Sequence, residues 1–203
     1  MTRTIALLGV EPYGRHSRSV SKELCQRFDH TAVRSFTVRA TVLQHNVRTL
    51  RQRLLDLIST EPEFIIALGL NEQTSSLLLE RAGQNVIDYE SEQMVDTMGY
   101  RPHTGKIEAD GPDTIENKFD TTRIELDFKT TRIPYKTSLD AGTTFNNLLI
   151  YHTLRLWNRG FVFLNLPVVD GKADVRSVTN FAVQEKAVSM LLKSVALGVD
   201  ARG

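Results

Sequence analysis

The sequence has little of three things that often reveal the class of a protein. Its 203 residues include one cysteine, Cys25, which excludes an internal disulfide framework and a thiolate cluster for zinc. Its formal net charge is +1, and no Lys/Arg cluster dominates, so there is no general attraction to nucleic acid. No apolar run approaches a membrane span, and the run after Arg3 is too short for a signal peptide. We therefore expect a cytoplasmic protein that binds neither nucleic acid nor membrane.

The chain does contain regular apolar patterns. Continuous apolar runs ended by glycine or proline predict strands covered on both faces at residues 4–9, 64–69 and 161–167. Amphipathic stripes between them predict helices, the first opening at Ser17 and the last over residues 181–195. This alternation predicts one domain over residues 1–203, a three-layer α/β/α sandwich around a mostly parallel twisted sheet.

Less regular segments give further expectations. Residues 32–43 predict a strand, with Val33, Ser35, Thr37 and Arg39 on one side if the run is unbroken. Residues 85–89 predict another strand, and residues 133–136 the end of a buried one. The polar segment 90–113 predicts a long surface loop, of the length that functional lids have. Cys25 is expected as a small buried hydrophobe.

Motifs for cofactors and metals are missing. Residues 9–14 lack the dinucleotide fingerprint, and no Gly-x-Ser-x-Gly elbow occurs. The five histidines have no metal-ligand spacing, so each is expected on the surface or on a helix face. We expect no cofactor and no metal.

The turn at residues 137–147 is the expected edge of the site. A strand stops there and a helix begins around Gly142. Helix starts present unpaired N–H groups and a partial positive charge, which hold anions, developing oxyanions and reactive nucleophiles. In such sheets ligands bind beyond the carboxyl ends of the strands, so the loops after residues 9, 69, 136 and 166 should converge there.

Four blocks of sequence carry a resemblance. Residues 9–14 (GVEPYG) resemble a G-F-x-P-F-G opening, residues 62–69 with 80–88 resemble central P-D and E-R blocks, residues 141–147 (AGTTFNN) resemble A-G-x-x-x-C-N, and residues 165–167 (NLP) stand where H-x-P would be. Together these blocks resemble the pyroglutamyl peptidase I family, cysteine peptidases that remove N-terminal pyroglutamate. The resemblance implies that family's fold, and its members often form dimers or tetramers, so a homodimer or homotetramer is the assembly it implies.

The departures from the family pattern fall on its chemistry. In the family a cysteine is the nucleophile, a histidine its base and the glutamate of E-R orients the histidine. Carried over, these positions are Asn146, Asn165 and Glu80. Neither asparagine supplies a thiolate or accepts a proton near neutral pH, and such losses cost a factor on the order of a million in kcat.

The ligand-binding positions are also altered. Val10 replaces the family's first aromatic, Tyr13 keeps the second, and Leu70 stands where many members have glutamine. The family's arginine-bearing loop is replaced by residues 90–92 (ESE). The ligand of this protein is expected to be a small molecule that contacts Val10, Tyr13, Leu70, Asn71, Phe145, Asn146 and Asn165.

Three functions follow from these departures. Glu80 and Asp140 could form an acid/base pair in a repurposed enzyme for hydrolysis, cyclisation or isomerisation of a small amide, lactam or amine. Alternatively, the protein is a catalytically silent pseudo-peptidase that binds a ligand or a partner, with Glu80 pairing with Arg81 or a nearby donor and Asp140 capping the helix. A residual pyroglutamyl-peptide hydrolase is the third hypothesis.

Overall fold

The computed structural model describes residues 3–13, 16–157, 159–169 and 178–200. Strands and helices alternate through these residues. In chain order the elements are β1 (Arg3–Val10), α1 (Val20–Phe28), β2 (Ala32–Val33), β3 (Phe36–Leu43), α2 (Val47–Ile58), β4 (Phe64–Asn71), β5 (Leu77–Glu80), β6 (Ala82–Gln84), β7 (Thr114–Glu116), α3 (Thr122–Thr130), β8 (Tyr135–Ser138), α4 (Phe145–Leu156), β9 (Gly160–Pro167) and α5 (Phe181–Asp200).

Seven of the strands form one mixed sheet in the order β2-β3-β1-β4-β9-β5-β8. The central strands β3, β1, β4 and β9 run parallel. In contrast, β5 is antiparallel to β9 and parallel to β8, so these two strands run against the central ones. Strands β6 and β7 form a separate antiparallel pair.

The sheet is buried on both faces, which explains why its central strands are apolar without alternation. Ile5 and Leu7 of β1 pack in one cluster with α1, α3 and α5. Their neighbours Ala6 and Leu8 point the other way and pack in a second cluster with α2 and α4. The three-layer α/β/α prediction is therefore confirmed. Among the described residues, no helix is long and apolar enough to cross a membrane.

Helix α1 packs very closely over β1. A Cβ added to Gly9 would lie 2.6 Å from the Cβ of Cys25, so only glycine fits at this contact. Cys25 is fully buried, and burial raises the pKa of its thiol to about 12. The prediction of a buried, unreactive cysteine is confirmed.

Two predicted element boundaries are wrong. Helix α1 begins at Val20 rather than Ser17, because Ser19 is the N-cap and its Oγ accepts from the Lys22 amide. The strand predicted over residues 32–43 is a hairpin that turns at Arg34, whose φ is +55°. The four residues predicted to share one face, Val33, Ser35, Thr37 and Arg39, are therefore divided by the turn.

Two further strand predictions are corrected. Residues 85–89 form no strand of the sheet; their one bridge joins Ile87 to Gly105. The strand expected at residues 133–136 begins at Tyr135 and lies at the sheet edge, where Lys136 and Thr137 are exposed. An edge strand needs no apolar run, so periodicity could not place it.

Candidate functional site

A cleft of about 220 Å³ lies beside the start of α4. Its wall comes from four places: Tyr13 after β1, residues 70–73 at the end of β4, Glu92 with Met94 from the long loop, and residues 140–144 with Asn146. These segments include three of the four loops that the sequence placed together. The fourth, after residue 166, continues into residues 170–177, which lie outside the described residues, as does Gly14 of the opening motif.

A chain of hydrogen bonds leads from this cleft into the core. The Nδ2 of Asn146 donates to the Leu70 carbonyl at 2.8 Å and to Oδ1 of Asn165 at 2.9 Å. The Nδ2 of Asn165 in turn donates to Oε1 of Glu80 at 2.8 Å. We call Asn146, Asn165 and Glu80 the amide chain; their exposed fractions are 8%, 0% and 2%.

The order of donors along the amide chain is fixed from both ends. The Leu70 carbonyl can only accept, so the Asn146 amide must turn its Nδ2 toward it. The Glu80 carboxylate accepts at the other end, which turns Nδ2 of Asn165 toward it. The chain is satisfied internally except for Oδ1 of Asn146 and Oε2 of Glu80, which are buried without a hydrogen-bond partner among the described residues.

Glu80 is an unusual carboxyl group. Burial raises its pKa, a rise that the side chains of Ser138 and Asn165 oppose and the negative charge of Asp140 reinforces. Glu80 does not pair with Arg81, which donates to Thr121 and lies 3.5 Å from Glu125. Nor does Glu80 line the cleft. It reaches the cleft only through the two asparagines.

Asp140 lies on the exposed rim of the cleft. Its Oδ1 accepts from the Gly142 amide at 2.9 Å and so shapes the turn, in which Gly142 has a φ of +76°. The N-cap of α4 is Thr144, whose side chain makes no capping bond. The suggestion that Asp140 caps this helix is therefore wrong. Glu80 and Asp140 influence each other electrostatically, but only Asp140 faces the cleft.

Asn147 fixes the start of α4 from the other side. Its Oδ1 accepts from the Gln84 amide, and its Nδ2 donates to the carbonyls of Gln84 and Val86. Within residues 85–89, Asn147 binds the Val86 carbonyl, and the amides of Asn85, Ile87 and Asp88 donate to the carbonyls of Asp113, Gly105 and Thr143. The backbone of this segment is thus paired outside the seven-stranded sheet.

The profile of the pyroglutamyl peptidase family matches residues 3–201. The chain belongs to the pyroglutamyl peptidase family. The pyrrolidone-carboxylate peptidase of Thermococcus litoralis is 29% identical over 155 residues, 75% of this chain and 68% of that protein. The one from Oceanobacillus iheyensis is 25% identical over 189 residues, 90% of this chain and 93% of that protein.

Solved structures of the family have the same fold. The T. litoralis enzyme superposes with a TM-score of 0.90 at 23% identity, covering 99% of this chain and 96% of the other. The pyrrolidone carboxyl peptidase of Thermus thermophilus superposes with a TM-score of 0.85 at 27% identity, covering 94% and 99%. The fold implied by the sequence resemblance is therefore confirmed.

The residues expected to bind a ligand divide into two groups. Four of them line the cleft: Tyr13, Leu70, Asn71 and Asn146. The other three, Val10, Phe145 and Asn165, lie behind it and are each at most 1% exposed. Those behind act on a ligand only through the residues in front. The roles of all seven remain predictions.

An aromatic wall beside the cleft was missed by the sequence analysis. The His45 ring stacks on Tyr13 at 4.4 Å between centroids, contacts Phe145 at 4.5 Å, and its Nε2 lies 3.3 Å from the Tyr89 hydroxyl. Burial lowers the pKa of His45 to about 4. Surface or helix-face placement is wrong for His45 and for His16, which are 0% and 9% exposed. Nothing in their sequence spacing signals these contacts.

The loop at residues 90–113 is pinned at several points. The Asp88 carboxylate accepts from the Glu90 and Ser91 amides and from Thr104, and these bonds lower its pKa to about 2. Asp96 accepts from three further amides, including that of Val47. The segment is a surface loop as predicted, but one with a fixed conformation. It contributes Glu92 and Met94 to the cleft.

In the described part of the chain, no group of three or more His, Cys, Asp or Glu side chains is arranged to hold a metal ion. The polar side chains among the described residues that line the cleft are amides, hydroxyls and carboxylates.

Proposed function

We propose that this protein retains the cleft of the pyroglutamyl peptidases but has lost their thiol chemistry, and that it binds a small molecule without turning it over. The amide chain carries this proposal. Its residues occupy, by the sequence resemblance, the positions of nucleophile, base and orienting acid. Their hydrogen bonds link the cleft to Glu80 in that same order.

The chemistry of these side chains argues against a thiol peptidase. A thiol peptidase needs a group that ionises to a nucleophile and a neighbour that takes up its proton. Primary amides do neither near neutral pH. Cys25 offers no replacement, because it is buried under β1 with a raised thiol pKa. Asn146 and Asn165 can only donate and accept hydrogen bonds, which is the chemistry of recognition.

A second candidate function is supported by the raised pKa of Glu80. A carboxyl group that keeps its proton to a higher pH is suited to general acid catalysis, and Asp140 would be the base. Against this pairing, Glu80 does not line the cleft and is separated from it by Asn165. Direct proton transfer between Glu80 and a ligand would require displacement of that amide.

The test is hydrolysis of a pyroglutamyl-aminomethylcoumarin reporter by the wild-type protein. We expect no release above the rate without protein, before or after treatment with iodoacetamide. A robust rate of hydrolysis that iodoacetamide abolishes would refute the proposal and support a residual thiol peptidase instead. An iodoacetamide-insensitive rate that Glu80→Gln and Asp140→Asn each abolish would instead establish the acid/base enzyme.

A further inference from the structure

Among the described residues that line the cleft, the charged side chains are all carboxylates. Glu92 and Asp140, which we call the rim carboxylates, are both exposed on its wall, and Glu72 also lines it, with Oε2 3.2 Å from Nε2 of His16. Of the described residues that line the cleft, none is Lys or Arg. Neither rim carboxylate forms an ion pair within the described residues.

The helix start opposes this charge only weakly. The N-terminus of α4 lies at the cleft and contributes a partial positive charge of roughly one half. The two rim carboxylates alone carry two full negative charges. The charges of the described residues at the cleft therefore favour a cation, the opposite of what an uncapped helix start provides on its own.

An unpaired acceptor lies in the same wall. Both protons of the Asn146 amide are used, one on the Leu70 carbonyl and one on Asn165. Its Oδ1 is left buried without a partner among the described residues, in a side chain that lines the cleft and is 8% exposed. An unsatisfied buried acceptor costs free energy, which a ligand N–H that reaches it would recover.

From these two observations we infer that the cleft binds a small protonated primary or secondary amine, whose N–H donates to Oδ1 of Asn146 and whose positive charge faces the rim carboxylates. This inference rests on the proposed function, since it gives the chemical class of the bound ligand. Such a cation differs both from the pyroglutamyl group of a peptide, which is a neutral lactam, and from free pyroglutamate, an anion that the rim carboxylates would repel.

Three five-membered rings of different charge test the inference. They are pyrrolidine, a cation at neutral pH, 2-pyrrolidinone, which is neutral, and pyroglutamate, an anion. Each would be titrated into ¹⁵N-labelled wild-type protein, and the amides of residues 143–146 followed by NMR. We expect pyrrolidinium to bind most tightly and to weaken as salt is added. Equal or tighter binding of pyroglutamate or 2-pyrrolidinone, or no shift with pyrrolidinium at millimolar concentration, would overturn the inference.

Variants test whether the rim carboxylates and Oδ1 of Asn146 each contribute to pyrrolidinium binding. Replacing both rim carboxylates, Glu92→Gln with Asp140→Asn, should weaken pyrrolidinium binding roughly fivefold, since each exposed charge contributes modestly. The matched control is Asp110→Asn with Glu116→Gln, two exposed carboxylates outside the cleft, which should leave binding unchanged. Equal weakening of pyrrolidinium binding by the two pairs would contradict the role of the rim carboxylates, since binding would then depend only on the net charge of the protein.

The role of Oδ1 of Asn146 as an acceptor is tested with one variant and with a second cation. Asn146→Leu should weaken pyrrolidinium binding, and N,N-dimethylpyrrolidinium, which has the charge but no N–H, should bind the wild type less well than pyrrolidinium. Equal binding of the two cations to folded wild-type protein would contradict the role of Oδ1. Hydrolysis of the pyroglutamyl reporter would refute the proposed function separately, because it leaves the order of these affinities unchanged.

Discussion

From the cleft wall inward, Asn146, Asn165 and Glu80 are each less than a tenth exposed and joined by hydrogen bonds, whereas Glu92 and Asp140 on the rim are exposed and form no ion pair with a described residue. A buried polar group must have partners, so a substitution there is tolerated only when the new side chains satisfy one another. Apart from Oδ1 of Asn146, two asparagines satisfy one another and Glu80 without supplying reactivity. Exposed carboxylates cost little, so the rim can change charge freely.

Removal of Asn165 should lower the free energy of unfolding most and so distinguish the buried amide chain from the exposed rim most clearly. Asn165→Leu leaves Oε1 of Glu80 without its donor and Nδ2 of Asn146 with one acceptor fewer, in the core. We expect the free energy of unfolding to fall by about 3 kcal/mol, measured by urea denaturation. Adding Glu80→Leu should recover part of the loss. A loss below about 1 kcal/mol would show that the amide chain contributes little to stability.

Acid should destabilise the folded protein through the buried ring of His45. Its folded-state pKa is lowered to about 4, below the ordinary value of about 6.5, so the unfolded chain binds the proton first as pH falls. The free energy of unfolding should therefore decrease as pH drops from about 6.5 toward 4, by up to roughly 3 kcal/mol. His45→Phe should flatten this dependence, whereas replacement of the exposed His103 by Gln should not. An unchanged slope in the His45 variant would contradict its assignment as a buried neutral ring.

Asp140→Asn should have the smallest effect. The side chain is exposed, and an asparagine Oδ1 can still accept from the Gly142 amide. We expect a change in the free energy of unfolding of less than about 0.5 kcal/mol, measured under the same urea conditions. A loss comparable to that of Asn165→Leu would erase the difference between the rim and the amide chain.

The fold was predictable where one physical pattern dominated. The apolar runs of β1, β4 and β9 identify strands buried on both faces, and the stripe of α5 identifies its core face. Prediction failed where a side chain or an edge decided the structure. The backbone of residues 85–89 bonds to the Asn147 side chain and to loop carbonyls instead of the sheet, the positive φ of Arg34 divides a strand into a hairpin, and β8 at the edge has no apolar signature.

The site was predictable only in part, for a related reason. Sequence resemblance brought together Glu80, Asn146 and Asn165, which no periodicity connects. The acidic rim was not assembled from the sequence, because Glu92 comes from an irregular loop whose position depends on distant anchors at Asp88 and Asp96. His45 was missed because its partners Tyr13, Tyr89 and Phe145 are far apart along the chain.

The central claim is that the peptidase geometry persists while its reactive groups are gone. The most direct measurement is the pH dependence of iodoacetamide alkylation in Asn146→Cys and in Asn146→Cys with Asn165→His, followed by intact mass. Wild-type protein is the blank, since Cys25 is buried. We predict that the double variant reacts at distinctly lower pH than the single one, because an imidazole oriented by Glu80 would stabilise the thiolate. Identical pH profiles would contradict the claim, since positions 146, 165 and 80 would then not form a working triad arrangement.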